Sequence, residues 1–153
     1  MTSERPSFGP LRDQTWVTRR GVKIDRIGTA WLVRRFVDPK ARFRFIDPKT
    51  EAPGTGERSF DMVGGEFTHE GDRCTFETLV RRLGLRDRAL TEVAEIVHDI
   101  DVKDAKFARP ESPGLAQLVT GIVAAHEDDE DRLGQGFQVF DALYESFRKG
   151  GKK

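Results

Sequence analysis

The chain has 153 residues, a formal net charge of zero and one cysteine, and it is long enough to bury the core of one domain. Its 26 Lys+Arg against 26 Asp+Glu argue against a general nucleic-acid binder, which usually carries a basic excess. One cysteine excludes an intrachain disulfide and a four-thiolate zinc site. Because we find no signal-peptide pattern or membrane-length apolar run, we expect a cytoplasmic protein without membrane contact.

The composition along the chain predicts one domain with short ends. Residues 1–13 contain two prolines and no periodicity, which is typical of a mobile arm. Residues 14–149 show alternating strand and helix patterns without an internal repeat, and 150–153 form a basic tail. We therefore expect a single domain over 14–149.

Short strands and one helix are predicted in the first part of the domain. The segment TWVTR (15–19) and the alternating ARFRFID (41–47) have the β-branched and aromatic content of strands. SFDMV (59–63) is a third strand candidate. Between the first two, KIDRIGTAWLVRRFV places apolar residues at helical spacing and ends at Asp38 before a proline.

Helices are predicted through the rest of the chain. Thr75 is placed as the N-cap of TFETLVRRLG, which ends at Gly84, and Asp87 caps RALTEVAEIVHDID. LAQLVTGIVAAH and DRLGQGFQVFDALYESFRK are two further helices. The predicted fold class is α+β, with a small N-terminal sheet of about three short strands packed with about five helices.

Several polar side chains fall on apolar helix faces. With about 100° per residue, Asp101 lies inside the apolar arc of its helix, and His98 lies at the edge of that arc. Asp25 and His126 also point toward apolar stripes. A buried carboxylate is normally paired, protonated or metal-bound, so internal ion pairs and a ligand site both remain open.

The stretch EFTHEGDRC (66–74) is the second polar concentration. It is either a polar turn before a helix or part of a site formed with His98 and Asp101. These two residues are three positions apart, so they share one face of their helix. Such a site requires His69, His98 and Asp101 to converge on one point. Its candidate metal ligands are Glu66, His69, Cys74, His98 and Asp101. This mixture suits Zn, Ni or non-haem Fe better than Mg or Ca.

Four stretches follow one another along the chain: WVTR with KIDRI and AWLVRRFVDP, then FTHEGDRCTFE, then EIVHDIDVKD, and finally FDALY. Together they resemble the C-terminal domain of the chromate-resistance protein ChrB. The resemblance implies a small α+β domain that is found alone, behind a regulatory domain or beside a rhodanese-like domain. It implies functional importance for the polar motif positions Asp25, Arg26, Arg34, Glu66, His69, Cys74, His98 and Asp101. Many relatives carry Cys-Pro where this chain has Thr29 and Ala30, so a second thiol is missing here.

Three functions remain open at this point. The first is a binding module for a metal ion or an oxyanion such as chromate or sulfate, in which Asp25, Arg26 and Arg34 contribute ion pairs or anion contacts. The second is an enzyme that uses the same site, through the metal or through Cys74 as a low-pKa thiol. The third is an interaction domain with a structural polar network. The expected partners are a small inorganic ion and a rhodanese-like or regulatory protein.

Overall fold

A parallel three-stranded sheet forms one part of the fold. The computed structural model describes residues 9–150, and within them β1 (Thr15–Arg19) lies between β2 (Arg42–Ile46) and β3 (Arg58–Ser59). The strands predicted at 15–19 and 41–47 are confirmed. The third is shorter than SFDMV because Asp61 has a left-handed φ of 52°, which ends the extended conformation.

The first helix, α1 (Ile24–Leu32), connects β1 to β2 and continues as a π-helical turn over Val33–Val37. In that turn the N–H of Asp38 donates to the Val33 carbonyl at 2.7 Å. Pro39 then disfavours a helical conformation for the residue before it. The predicted end of this element at Asp38 is thereby confirmed.

Four more helices complete the α+β fold predicted from the sequence. They are α2 (Thr75–Arg82), α3 (Arg88–Asp101), α4 (Ser112–Ala125) and α5 (Asp129–Gly150). Asp87 caps α3 as predicted, because its carboxylate accepts from the Leu90 N–H at 3.1 Å. The N-cap predicted for α2 is wrong by one residue, since Cys74 is the cap and Thr75 is the first helical residue.

The core surrounds Trp31 of α1. Its ring lies 6.3 Å from that of Phe76 on α2 and 5.4 Å from that of Phe140 on α5, measured between centroids. All three side chains are fully or almost fully buried. Helix α1 is therefore fixed between α2 and α5, and so are the polar residues of its first turn.

The two ends of the chain lie partly outside the described residues. The structure describes neither residues 1–8 of the predicted arm nor residues 151–153 of the predicted tail. Residues Gly9–Leu11 form a short 3-10 helix. The backbone N–H groups of Asp13 and Gln14 donate to the buried Asp38 carboxylate at 2.7 and 2.9 Å, which anchors the approach to β1.

Replacing Gly136 with alanine is expected to destabilise the fold by about 1–3 kcal/mol, the usual cost of overpacking. A Cβ at this position of α5 would overlap the Cγ2 methyl of Ile27 on α1. Gly134→Ala on the same helix is the matched control, because its Cβ would have nothing within 4 Å. This substitution should raise the free energy of unfolding by up to about 1 kcal/mol, since alanine has a higher helix propensity than glycine. Urea unfolding of both variants measures the difference. Equal effects would contradict the close approach of α1 and α5.

Candidate metal centre

Three carboxylates surround one nitrogen of His69. The Nε2 atom lies 3.1 Å from Oδ2 of Asp101, 3.3 Å from Oδ2 of Asp25 and 3.7 Å from Oδ1 of Asp61. Asp25 belongs to the first turn of α1, Asp61 follows β3, His69 precedes the turn before α2, and Asp101 ends α3. The tertiary fold therefore brings together four side chains that are far apart in sequence.

Asp25 is the most buried of the four, with 3% of its surface exposed. Its carboxylate accepts the backbone N–H groups of Thr75 and Phe76 at 2.9 and 3.0 Å. These are first-turn donors of α2, which have no partner within the helix. Asp25 thus caps α2 and is held in one orientation beside His69.

Asp61 is held from two sides. The Nε atom of Arg26 lies 3.2 Å from its Oδ2, and the Thr75 hydroxyl donates to its Oδ1 at 2.8 Å. The Asp61 N–H also donates to the Phe67 carbonyl at 2.7 Å, which fixes its left-handed backbone. The carboxylate is therefore directed into the cluster rather than toward solvent.

The cluster carries strong electrostatic interactions. The hydrogen bond to Asp25 raises the pKa of His69 to about 9 against the opposing effect of burial, and the Asp101 carboxylate adds to this. Burial and the neighbouring Asp25 raise the pKa of Asp101 to about 6. The same two causes raise the pKa of Asp61. The anionic carboxylates are thus destabilised by one another, and a cation at their centre would relieve that repulsion.

The geometry fits a metal ion. Metal–ligand bonds of about 2.1 Å at tetrahedral angles separate neighbouring ligand atoms by about 3.4 Å, close to the 3.1–3.7 Å between Nε2 and the three oxygens. Ligand atoms of Asp25, Asp61 and His69 all lie within 4.8 Å of one another, whereas Asp101 contacts His69 but does not belong to this mutually close group. A metal ion would have to displace the proton of His69; the three carboxylates and Arg26 then sum to −2, which a divalent cation would neutralise.

The structure does not bring His98 to this cluster. Both nitrogens of the fully buried ring face carboxylates, so in the protonated ring Nδ1 donates to Glu77 Oε1 at 2.5 Å and Nε2 donates to Asp104 Oδ1 at 2.9 Å. Burial opposes a charged ring, but the bonds to Glu77 and Asp104 raise the pKa of His98 above its ordinary value. His98 therefore joins α2 to the segment that follows α3, although it shares a helix with Asp101.

His98, Asp99 and Asp104 form a second close group of possible ligand atoms. Their side chains hold the segment that follows α3. The Asp99 carboxylate accepts the N–H groups of Phe107 and Arg109 at 3.1 and 2.8 Å. Since both His98 nitrogens are also engaged, this group has a complete structural explanation.

The two remaining ligands suggested by the sequence lie in other environments. Glu66 pairs with Arg58 at 2.8 Å. Cys74 is fully buried as the N-cap of α2, and burial together with Asp25 raises the pKa of its thiol far above its usual range. The thiol is therefore neutral, which does not suit the nucleophile considered from the sequence.

Of the two proposed anion-binding arginines, only Arg26 reaches the cluster. Arg34 donates to the Ala41 carbonyl at 2.7 Å, and its guanidinium lies 5.1 Å from the centre of the Phe43 ring. His126, the other inward-pointing histidine, ends α4 as its C-cap.

The sequence did not single out Asp61. A following Gly64-Gly65 pair indicates a turn, and Asp tolerates a left-handed conformation, but neither feature shows that its side chain folds back. The polar turn within EFTHEGDRC is nevertheless present, since Gly71 has a φ of 58° and the backbones of Glu70 and Arg73 form an antiparallel β-bridge.

Comparison with known proteins agrees with the resemblance found in the motifs. Residues 16–147 match the family described as ChrB, C-terminal domain. Protein ChrB of Cupriavidus metallidurans is 34% identical over 151 aligned residues, which cover 94% of this chain and 46% of the relative. The chain thus spans about half the length of that relative, and no solved structure matches it. Across residues 9–150, no helix is both long and apolar enough to cross a membrane. The chain belongs to the family of the ChrB C-terminal domain.

Proposed function

We propose that this chain is a chromate-resistance-associated domain that binds one divalent transition-metal ion through His69, Asp25 and Asp61, with Asp101 completing the ligand set from its place beside His69. Membership of the ChrB C-terminal family supports the association with chromate resistance. One observation carries the metal site: His69 Nε2 lies 3.1–3.7 Å from three carboxylate oxygens of different segments. One carboxylate would balance the charge of a protonated His69, whereas three lie around its Nε2.

The donor set favours a particular class of metal. One imidazole and three carboxylates form a harder ligand set than one that includes Cys74, and carboxylates suit Mn²⁺ while imidazole suits Fe²⁺ and Zn²⁺. We therefore expect Mn²⁺ or Fe²⁺ to bind, with Zn²⁺ as the competitor. Half of the His69 side-chain surface is exposed, so the ion has a route from solvent.

In our proposal, an oxyanion binds to this site only when the metal ion is bound. Arg26 is the one nearby guanidinium that we assign to the site, and its Nε already pairs with Asp61 at 3.2 Å. An oxyanion would therefore bind chiefly to the cation, with Arg26 as a secondary contact. The neutral, buried Cys74 gives little support to the thiol-dependent enzyme considered from the sequence.

Calorimetric titration of metal-stripped protein with Mn²⁺, and with Zn²⁺ for comparison, tests the proposal. We expect one ion per chain, and we expect Asp61→Asn and Asp101→Asn each to weaken Mn²⁺ binding by more than the roughly 10–100-fold that is typical of losing an outer-shell group. Glu66→Gln is the matched control, since the sequence suggests this residue as a ligand but the structure pairs it with Arg58. Lack of binding by the wild type, or equal losses for Glu66→Gln and Asp61→Asn, would refute the site.

A further inference from the structure

We infer that Thr75 is the positioning residue of this metal centre, because it holds two of the proposed ligands at once. The inference rests on the proposed function. Thr75 is fully buried at the start of α2. Its backbone N–H donates to Oδ2 of Asp25 at 2.9 Å, and its hydroxyl donates to Oδ1 of Asp61 at 2.8 Å.

The direction of the hydroxyl bond shows that Thr75 does not serve as a helix cap. A cap hydroxyl accepts from an N–H of the first helical turn, whereas an ionised carboxylate only accepts. The Thr75 hydroxyl must therefore donate its hydrogen to Asp61. Asp25 supplies the caps instead, through the N–H groups of Thr75 and Phe76. The threonine hydroxyl is thus available for the site.

The hydroxyl decides which way the Asp61 carboxylate turns. Arg26 approaches the other oxygen, with Nε at 3.2 Å from Oδ2, and a guanidinium prefers to bind both oxygens of a carboxylate in a parallel fork. The bond from Thr75 keeps Oδ1 out of such a fork and 3.7 Å from His69 Nε2. Without the hydroxyl, Oδ1 of Asp61 loses the bond that holds it beside His69, while Arg26 keeps its contacts with Oδ2 and with the Asp61 carbonyl.

Thr75 itself has little freedom to move. Its neighbour Phe76 is fully buried and stacks on Trp31 with ring centroids 6.3 Å apart. The position of Thr75 is thereby tied to the core contact between α1 and α2. Because the same helix α1 carries Asp25 and Arg26, the core sets the distance between Thr75 and both sides of the site.

Replacing Thr75 with valine tests the inference, because valine keeps the shape and the backbone N–H but removes the hydroxyl. We expect the Mn²⁺ dissociation constant of Thr75→Val to rise about 10–100-fold, as for other outer-shell losses. Thr75→Ser retains the hydroxyl and should bind Mn²⁺ close to the wild type. Calorimetry gives the dissociation constants, and urea unfolding without metal shows that the variants are folded.

Thr78→Val is the matched control for burial and packing. Thr78 is also fully buried on α2, but its hydroxyl has no hydrogen-bond partner among the described residues. We expect its Mn²⁺ affinity to remain unchanged. Equal weakening in Thr75→Val and Thr78→Val, or a Thr75→Ser protein as weak as Thr75→Val, would overturn the role of the hydroxyl.

Failure of the inference can be distinguished from failure of the proposed function. If the wild type and Thr75→Val bind Mn²⁺ with the same affinity, the metal centre stands and the positioning role of Thr75 is wrong. If folded wild-type protein binds no Mn²⁺, Fe²⁺ or Zn²⁺, the proposed function is wrong and the inference is lost with it.

Discussion

Replacing Asp25 with alanine is expected to lower the free energy of unfolding by about 3–5 kcal/mol, the range for removing one partner of a buried charged interaction. The substitution leaves the N–H groups of Thr75 and Phe76 without an acceptor inside the protein, and each unsatisfied buried donor costs about 1–3 kcal/mol. Relief of the repulsion between Asp25 and the other two carboxylates offsets part of this loss. Urea unfolding of metal-stripped protein measures the net change in the free energy of unfolding.

Asp128→Ala provides the comparison for this prediction. The exposed Asp128 carboxylate also accepts a first-turn N–H, from Asp131 of α5 at 3.2 Å. Because water can replace it, we expect a loss of about 1 kcal/mol, as for an ordinary N-cap. If Asp25→Ala costs no more than Asp128→Ala, Asp25 does not carry the buried capping role described above.

Replacing His98 with leucine is expected to cost about 3–5 kcal/mol near pH 6, because the largely buried Glu77 carboxylate loses its cationic partner. The cost should decrease as the pH rises. The pKa of His98 is raised in the folded protein, so its contribution is complete below the unfolded value of about 6.5 and is lost as the pH passes the folded value.

The difference in unfolding free energy between wild type and His98→Leu, measured from pH 6 to pH 9.5, isolates this contribution. His69 also titrates in this range, with a folded pKa of about 9, but it is present in both proteins and cancels in the difference. His126→Leu is the control, since His126 forms the C-cap of α4 away from these carboxylates; its effect should be small. If the difference in unfolding free energy between the wild type and His98→Leu stays constant or increases toward pH 9.5, the charged interaction is contradicted.

The sequence placed both Asp25 and His98 on or beside inward helix faces. Asp25 and His98 are 3% and 0% exposed, as the periodicity of their helices indicated. The periodicity could not show their partners. Asp101 turns to His69, whereas His98, on the same helix face, turns to Glu77 and Asp104, because α3 packs against different segments at successive turns.

The sequence by itself determined the local elements of this protein. Alternating apolar residues, helical spacing and turn residues specified the first two strands, the helices and the left-handed turn at Gly84 that follows the last residue of α2, Arg82, since these signals act between residues close in the chain. The motifs also determined the family, and the polar concentration at 66–74 pointed to His69. These features depend little on how distant segments meet.

Only the tertiary structure decided the composition of the candidate site. It added Asp61 and Thr75, kept His69 and Asp101, and placed Glu66 with Arg58 and Cys74 within the core. The physical reason is that ligand geometry is set by contacts between α1, α2, α3 and the segment after β3. Successive members of the set 25, 61, 69 and 101 are separated by 8 to 36 positions, and no local pattern specifies the orientation of side chains across such separations.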